Sequence, residues 1–181
     1  MDFKHVPVLY RECIENLKIK PGGIYVDGTL GGGGHAYGIG EKIGKEGILI
    51  GIDRDKDALE AAGQKLKVLP CRKILIQRTY AEIKDVLEEL QIDGIDGALL
   101  DIGVSSFQLD NADRGFSYMH DAPLDMRMNQ DDNFTAYDVV NSYSQKELAA
   151  VIRKYGEERW ADRIAEFIVR ERKQDPERPL S

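Results

Sequence analysis

The sequence predicts an α/β protein built on a parallel, doubly wound sheet, and three observations carry that prediction. Short apolar runs alternate with longer segments of helical spacing. The first run ends in an acidic residue followed by a glycine cluster that opens a helix. The second ends in another acid roughly twenty residues beyond the glycines, the interval at which nucleotide-type folds place a ribose-binding carboxylate.

The first strand is expected at Gly23-Ile24-Tyr25-Val26 and the second at Gly47-Ile48-Leu49-Ile50-Gly51-Ile52. Lys73-Ile74-Leu75-Ile76 supplies the third and Ile95-Asp96-Gly97-Ala98-Leu99-Leu100 the fourth. Each is too apolar to be half-solvated, as befits a parallel sheet covered on both faces. Asp57 to Lys67 and Ala81 to Leu90 have helical spacing, with Ile83, Val86, Leu87 and Leu90 on one stripe. The alternation implies a doubly wound fold with right-handed crossovers, in which the fourth strand lies beside the first, at the switch point. From Asp101 to Asn133 the chain is rich in Gly, Asp, Asn and Ser without a period. Roughly thirty residues of that kind point to a functional loop. Helical spacing returns at Thr135, with Leu148, Val151, Ile152 and Tyr155 as one face and Trp160, Ile164, Phe167 and Ile168 as another. Pro176 and Pro179 are expected to stop the last helix. The expected organisation is a sheet domain over residues 1–110, with the first four strands, and a loop with the start of a helical module over 111–181. Four strands make a thin sheet, and the chain reads as incomplete.

With 181 residues, 42% of them hydrophobic and 31% charged, the chain has the size and balance of one globular domain. It has no run of about 18 apolar residues, so no membrane helix is expected. The Met1 to Pro7 start lacks the features of a signal peptide, and Cys13 and Cys71 cannot make a disulfide framework. The expected compartment is the reducing cytoplasm. A formal charge of −7 weighs against a general nucleic-acid coat but leaves room for a local basic face.

The strongest local signal is Asp27-Gly28-Thr29-Leu30-Gly31-Gly32-Gly33-Gly34-His35 after the first strand. Glycines let backbone approach a ligand, and the helix start adds N–H donors. Asp53, at the end of the second strand, is placed to accept hydrogen bonds from a ribose diol; on its own it would as readily be a solvated helix cap. Gly31-x-Gly33-x-x-Ala36 satisfies the dinucleotide fingerprint, so a nicotinamide-dependent oxidoreductase is one alternative. Asp27 opposes it, because a carboxylate beside the loop repels a pyrophosphate and welcomes the cationic amine of a methionyl group. The expected cofactor is therefore S-adenosylmethionine. Methyltransferase loops usually run acid-x-Gly-x-Gly-x-Gly, and Thr29 stands at the first glycine position here. Asp101, ending the fourth strand, is expected to face the cofactor, although it could equally cap a turn. No His/Cys cluster has metal-ligand spacing.

His5-Val6-Pro7-Val8-Leu9, the glycine loop, Asp101-Ile102-Gly103-Val104-Ser105-Ser106, Arg114-Gly115-Phe116-Ser117, Leu124-Asp125-Met126-Arg127-Met128 and Tyr155-Gly156-Glu157-Glu158-Arg159 occur together. This set, spread from His5 to about Arg172, resembles the bacterial 16S ribosomal RNA cytosine-N4 methyltransferases of the MraW family. The resemblance implies a class I (Rossmann-like) S-adenosylmethionine-dependent methyltransferase sheet, partial here, with a helical substrate-recognition insert after the fourth strand. It implies S-adenosyl-L-methionine as cofactor and the 16S rRNA of the 30S ribosomal subunit as partner, and it leaves the oligomeric state open, a homodimer included. Gly33, Gly34 and His35 would contact the cofactor, Asp53 its ribose, Tyr80 the adenine region, and Asp101 and Gln108 its remaining polar groups. Tyr80 stands where the family usually has Phe, and Phe107 where proline is common. Members resembling this chain run on for over a hundred residues more, which suggests a fragment or an early-terminated product and keeps an inactive cofactor- or RNA-binding remnant as an alternative.

The N4 amine of cytosine is a poor nucleophile, so an acceptor near it should take hydrogen bonds as the new bond forms. Asp101 is the catalytic candidate, with a loop carbonyl as the alternative. Phe107, Phe116 or Tyr118 would stack on an extruded base, and Arg114 and Arg127 would hold phosphates. His35 is expected in the cofactor loop rather than as a general base.

Overall fold

The computed structural model describes residues 7–174, so His5, Val6 and the expected helix stop at Pro176 and Pro179 lie outside the described residues. The chain divides into two compact units, Met1–Ser106 and Phe107–Ser181. That division precedes the boundary expected after residue 110, and most of the short helix there is counted with the second unit.

In the first unit, β1 (Ile24–Asp27), β2 (Ile48–Asp53), β3 (Arg72–Gln77) and β4 (Gly97–Leu99) form one parallel sheet in the order β3-β2-β1-β4. The chain reverses direction across the sheet between β1 and β4, as the βαβ alternation predicts. β4 is shorter than expected because Asp96 is used on the approach to it. Its N–H donates to the Ile24 carbonyl at 2.8 Å and its carboxylate accepts the Ile24 N–H at 2.9 Å.

Alternate strand residues serve opposite faces. Tyr25 and Leu49 join Ile39 and Ile43 of α2 (Gly34–Ile43) and Leu66 of α3 (Lys56–Leu66) in one buried cluster. Val26, Ile50 and Ile52 form the other with Val86 of α4 (Ile83–Glu89), where Ile83, Leu87 and Leu90 pack as the stripe predicts. α3 starts where Asp55 accepts the Asp57 N–H at 3.1 Å. The helix expected from Ala81 is preceded by a 3-10 turn, Tyr80–Glu82, because Thr79 and Glu82 close a capping box around it. A further helix with no counterpart in the sequence reading, α1 (Tyr10–Asn16), packs on α2 and buries Ile14.

In the second unit, the stretch without a period holds only α5 (Ser106–Asp110) and a 3-10 turn, Ala112–Arg114. α6 (Ala136–Ser142) and α7 (Gln145–Gly156) each begin at a capping box, Thr135 with Asp138 and Ser144 with Glu147. α8 (Ala161–Gln174) packs on α7 through Leu148, Ala149 and Ala165, with Ile168 and Val169 beside them. The expected faces are therefore corrected at Tyr155 and Trp160, while Leu148 and Ile168 do pack in this cluster. Tyr155 and Trp160 stay exposed, at 73% and 59%, because alanines rather than the largest side chains form the close contact.

Candidate active site

The site residues of the first unit gather where β1, β2 and β4 end. Gly28 donates its N–H to the Leu99 carbonyl at 2.9 Å, and Leu30 donates to the Ile52 carbonyl at 3.0 Å, so the loop after β1 is tied to both neighbouring strands. The loop then turns into α2 through Gly33, whose φ of 71° suits glycine and which sits where a Cβ would come 3.1 Å from the Ala62 Cβ. A Cβ on the next residue, Gly34, would lie 2.2 Å from the Pro7 Cγ. Both glycines thus serve close packing within the chain, Gly33 against α3 and Gly34 against the segment before α1. Gly33 brings no side chain to cap α2, and of the first-turn amides that of Ala36 faces Asp27.

Three carboxylates converge on this loop. Asp27 is 1% exposed, and its Oδ1 accepts the Thr29 N–H at 3.2 Å. Its Oδ2 has no hydrogen-bond partner among the described residues. Burial, countered by the Thr29 and Ala36 amides and reinforced by Asp53 and Asp101, pushes its carboxyl up to about 7. Asp53 is turned onto the backbone, with Oδ2 accepting the Gly31 N–H at 2.7 Å and Oδ1 the Asp55 N–H at 2.9 Å. The Asp101 N–H donates to the Thr29 Oγ1 at 2.6 Å. Thr29, the residue that departs from the usual glycine pattern, is therefore the tie between the loop after β1 and the end of β4.

His35, in the first turn of α2, is buried between the two ends of this cluster. Its Nε2 lies 3.2 Å from the Val8 carbonyl oxygen and its ring stacks on Tyr10 at 5.9 Å. Its Nδ1 lies 4.0 Å from the Asp101 Oδ2. Tyr80 opens the 3-10 turn beside Gly28, whose added Cβ would meet the Tyr80 Cβ at 3.1 Å. Gly34→Val is expected to expel Pro7 from its seat and lower stability by about 2 kcal/mol. Urea denaturation and protease sensitivity at Pro7–Tyr10 check it; unchanged values in both contradict the packing account.

A family model described as the MraW methylase family matches residues 2–179. The chain belongs to that family. It is 53% identical over 176 residues to "Ribosomal RNA small subunit methyltransferase H" of Clostridioides difficile strain 630, an alignment covering 97% of this chain and 57% of that protein. The protein of the same description from Lachnospira eligens is 54% identical, with 97% and 56% covered. The chain thus spans a little over half the length of these curated relatives. Among solved structures, a SAM-dependent O-methyltransferase from Thermotoga maritima aligns with 56% of this chain and 38% of its own at 19% identity and a TM-score of 0.44.

In this MraW family chain, Gly33, Gly34, His35, Asp53, Tyr80 and Asp101 all lie in the first unit around the loop just described. Gln108 belongs to the second unit, where it is buried in α5. The expectation that Arg114 and Arg127 hold phosphates is corrected. Arg114 is 1% exposed and donates to the Arg127 and Met128 carbonyls, each at 3.0 Å. Arg127 grips Asp125 with Nε and Nη2 and donates through Nη1 to the Gln130 and Asp132 carbonyls. Both guanidinium groups hold the long loop's own backbone in shape, which the abundance of turn residues there requires. Sequence reasoning also missed the docking of Pro7–Tyr10 on α2. The available signal was the pair Gly34 and Gly38, one helical turn apart; a Cβ on Gly38 would meet the Tyr10 hydroxyl at 2.3 Å.

Proposed function

We propose that this chain carries the cofactor-binding and methyl-accepting machinery of an S-adenosylmethionine-dependent methyltransferase that modifies the N4 amine of a cytidine in the 16S rRNA of the small ribosomal subunit, in the cytoplasm. The observation that carries the reading is Asp27, a buried carboxylate with an unpartnered oxygen beside the first turn of α2. Such an oxygen suits a cationic partner, and the amine of a methionyl group provides one. Asp53 and Asp101 add to the negative potential, which disfavours a dinucleotide pyrophosphate. Asp53, with each oxygen holding one amide, retains lone pairs for a ribose diol. Tyr80, 39% exposed, offers a ring to the adenine. Gly33, Gly34 and His35 would line the cofactor's remaining side, and Gln108 would add a polar contact.

When bound, the cofactor supplies a methyl group on a sulfonium. The chain's part is to hold the acceptor nitrogen about 3 Å from that carbon and to accept hydrogen bonds from the amine. Asp101 is placed for the second task, with its backbone fixed by Thr29 and its side chain half-exposed at the end of β4. Phe107 and Tyr118, 57% and 96% exposed, are available to stack on an extruded base, with Phe116 between them in sequence. The test is transfer of labelled methyl to 30S subunits lacking the modification, followed by nucleoside mass spectrometry. N4-methylcytidine in 16S rRNA is the expected product. Cofactor binding without transfer leaves a binding role, and protection by NAD in preference to S-adenosylhomocysteine overturns the reading.

A further inference from the structure

We propose that His35 is a positioning residue for the methyl-acceptor step, holding a bare Nδ1 toward Asp101 so that the proton released by the substrate amine passes from the Asp101 carboxylate to the imidazole. The inference rests on the reading of Asp101 given above. Three parts of the chain far apart in sequence make the arrangement. The Val8 carbonyl can only accept, so at 3.2 Å it requires the proton on Nε2. In the neutral ring Nδ1 is then a bare acceptor, 4.0 Å from the Asp101 Oδ2. Tyr10 stacks on the ring, with planes 21° apart, and fixes its orientation. The side chain of His35 is 6% exposed while that of Asp101 is 52% exposed, so the imidazole lies behind a carboxylate that reaches solvent and substrate.

Two acceptors facing each other with no proton between them are an incomplete pair. A shift of about 1 Å in the carboxylate would bring it to bonding distance once a proton arrives. The reaction supplies that proton. As the amine's lone pair bonds the methyl carbon, the bond from that carbon to the sulfonium sulfur breaks with its electron pair staying on sulfur, and one amine N–H bond breaks and leaves its pair on nitrogen. An O–H bond forms on Asp101, and that bond is exchanged for an N–H bond at the His35 Nδ1. The unit of positive charge that arrives with the methyl group becomes the imidazolium, paired with the restored carboxylate, until the proton passes to water. The other titratable groups nearby are Tyr10, stacked on the ring, Asp27, within electrostatic reach of Asp101, and Asp53, within electrostatic reach of Asp27.

The experiment has two arms on the full 181-residue chain. Long-range proton–nitrogen NMR of the histidine-labelled chain reads the tautomer directly. Nε2–H with a bare Nδ1 is expected in the neutral ring, and a neutral ring carrying Nδ1–H overturns the proposal whatever the activity. In the second arm, His35→Gln keeps a donor for the Val8 carbonyl and replaces the basic ring nitrogen by an amide oxygen that takes up no proton. Single-turnover transfer to 30S subunits at saturating cofactor is expected to fall about 100-fold, with the acidic limb of the pH–rate profile lost. An unchanged rate, or a lower rate with the acidic limb retained, assigns His35 a packing role and overturns the proposal. Absence of transfer by the unsubstituted chain counts against the methyltransferase reading instead, and the tautomer then decides the geometry alone.

Discussion

Asp53→Ala is expected to raise the dissociation constant for S-adenosylmethionine at least about 100-fold, a loss of about 3 kcal/mol. The carboxylate is asked to do two things at once. It fixes the Gly31 amide at 2.7 Å and the Asp55 amide at 2.9 Å, and so sets the course of the glycine loop before any ligand arrives. In the function proposed above, its remaining lone pairs then meet the ribose. Hydrogen bonds to an ionised acceptor contribute about 1.5–3 kcal/mol each, so losing a preorganised loop and a diol contact together exceeds either alone. Asp53→Asn keeps one acceptor oxygen and is expected to fall between, at about tenfold. Calorimetric titration measures both, with far-UV circular dichroism as the check on folding. A folded Asp53→Ala protein that binds as tightly as the unsubstituted chain would remove Asp53 from the site.

The second large effect is a pH dependence seated at Asp27. Its carboxyl is raised from an ordinary 3.8 to about 7, chiefly by burial. The native state therefore holds a proton that the unfolded chain gives up. The resulting contribution to stability is fully present below about pH 4 and is lost as the pH rises through about 7, a change of about 4 kcal/mol by linkage. The thermal midpoint of the ligand-free chain is expected to fall between pH 5 and pH 8, and Asp27→Asn is expected to flatten that fall. Carboxyls held low by their partners, such as Asp125 beside Arg127, act below this window and in the opposite sense. A cationic ligand group at the unpartnered oxygen favours the ionised form, so cofactor affinity is expected to rise over the same pH range and binding near pH 7 to release a proton. Calorimetry in buffers of different ionisation enthalpy counts that proton. A pH-independent midpoint in the ligand-free chain would contradict the burial account.

The first unit was legible because its signals are local. Four apolar runs marked the strands, the alternation with helices gave a doubly wound sheet with the fourth strand beside the first, and acids at strand ends became the convergent carboxylates Asp27, Asp53 and Asp101. Hydrophobic periodicity is blind to small residues, and that is where the reading faltered. Ala149 and Ala165 decide how α8 meets α7, and Gly34 and Gly38 seat Pro7 and Tyr10. Arginine is ambiguous for another reason. The partners of Arg114 and Arg127 include main-chain carbonyls that only the folded loop brings within reach, so a phosphate looked equally suitable from the sequence.

The order of the strands also has a consequence in time. Chain synthesis delivers β1, β2 and β3 as neighbours, together with the anchored loop between Gly31 and Asp53. β4 comes last and crosses back to the opposite flank of β1, where the Thr29–Asp101 hydrogen bond closes a span of 72 residues. Contacts that close long stretches of chain form late. A growing polypeptide therefore completes the loop held by Asp53 before Asp101 reaches it, and the two halves of the proposed site mature one after the other.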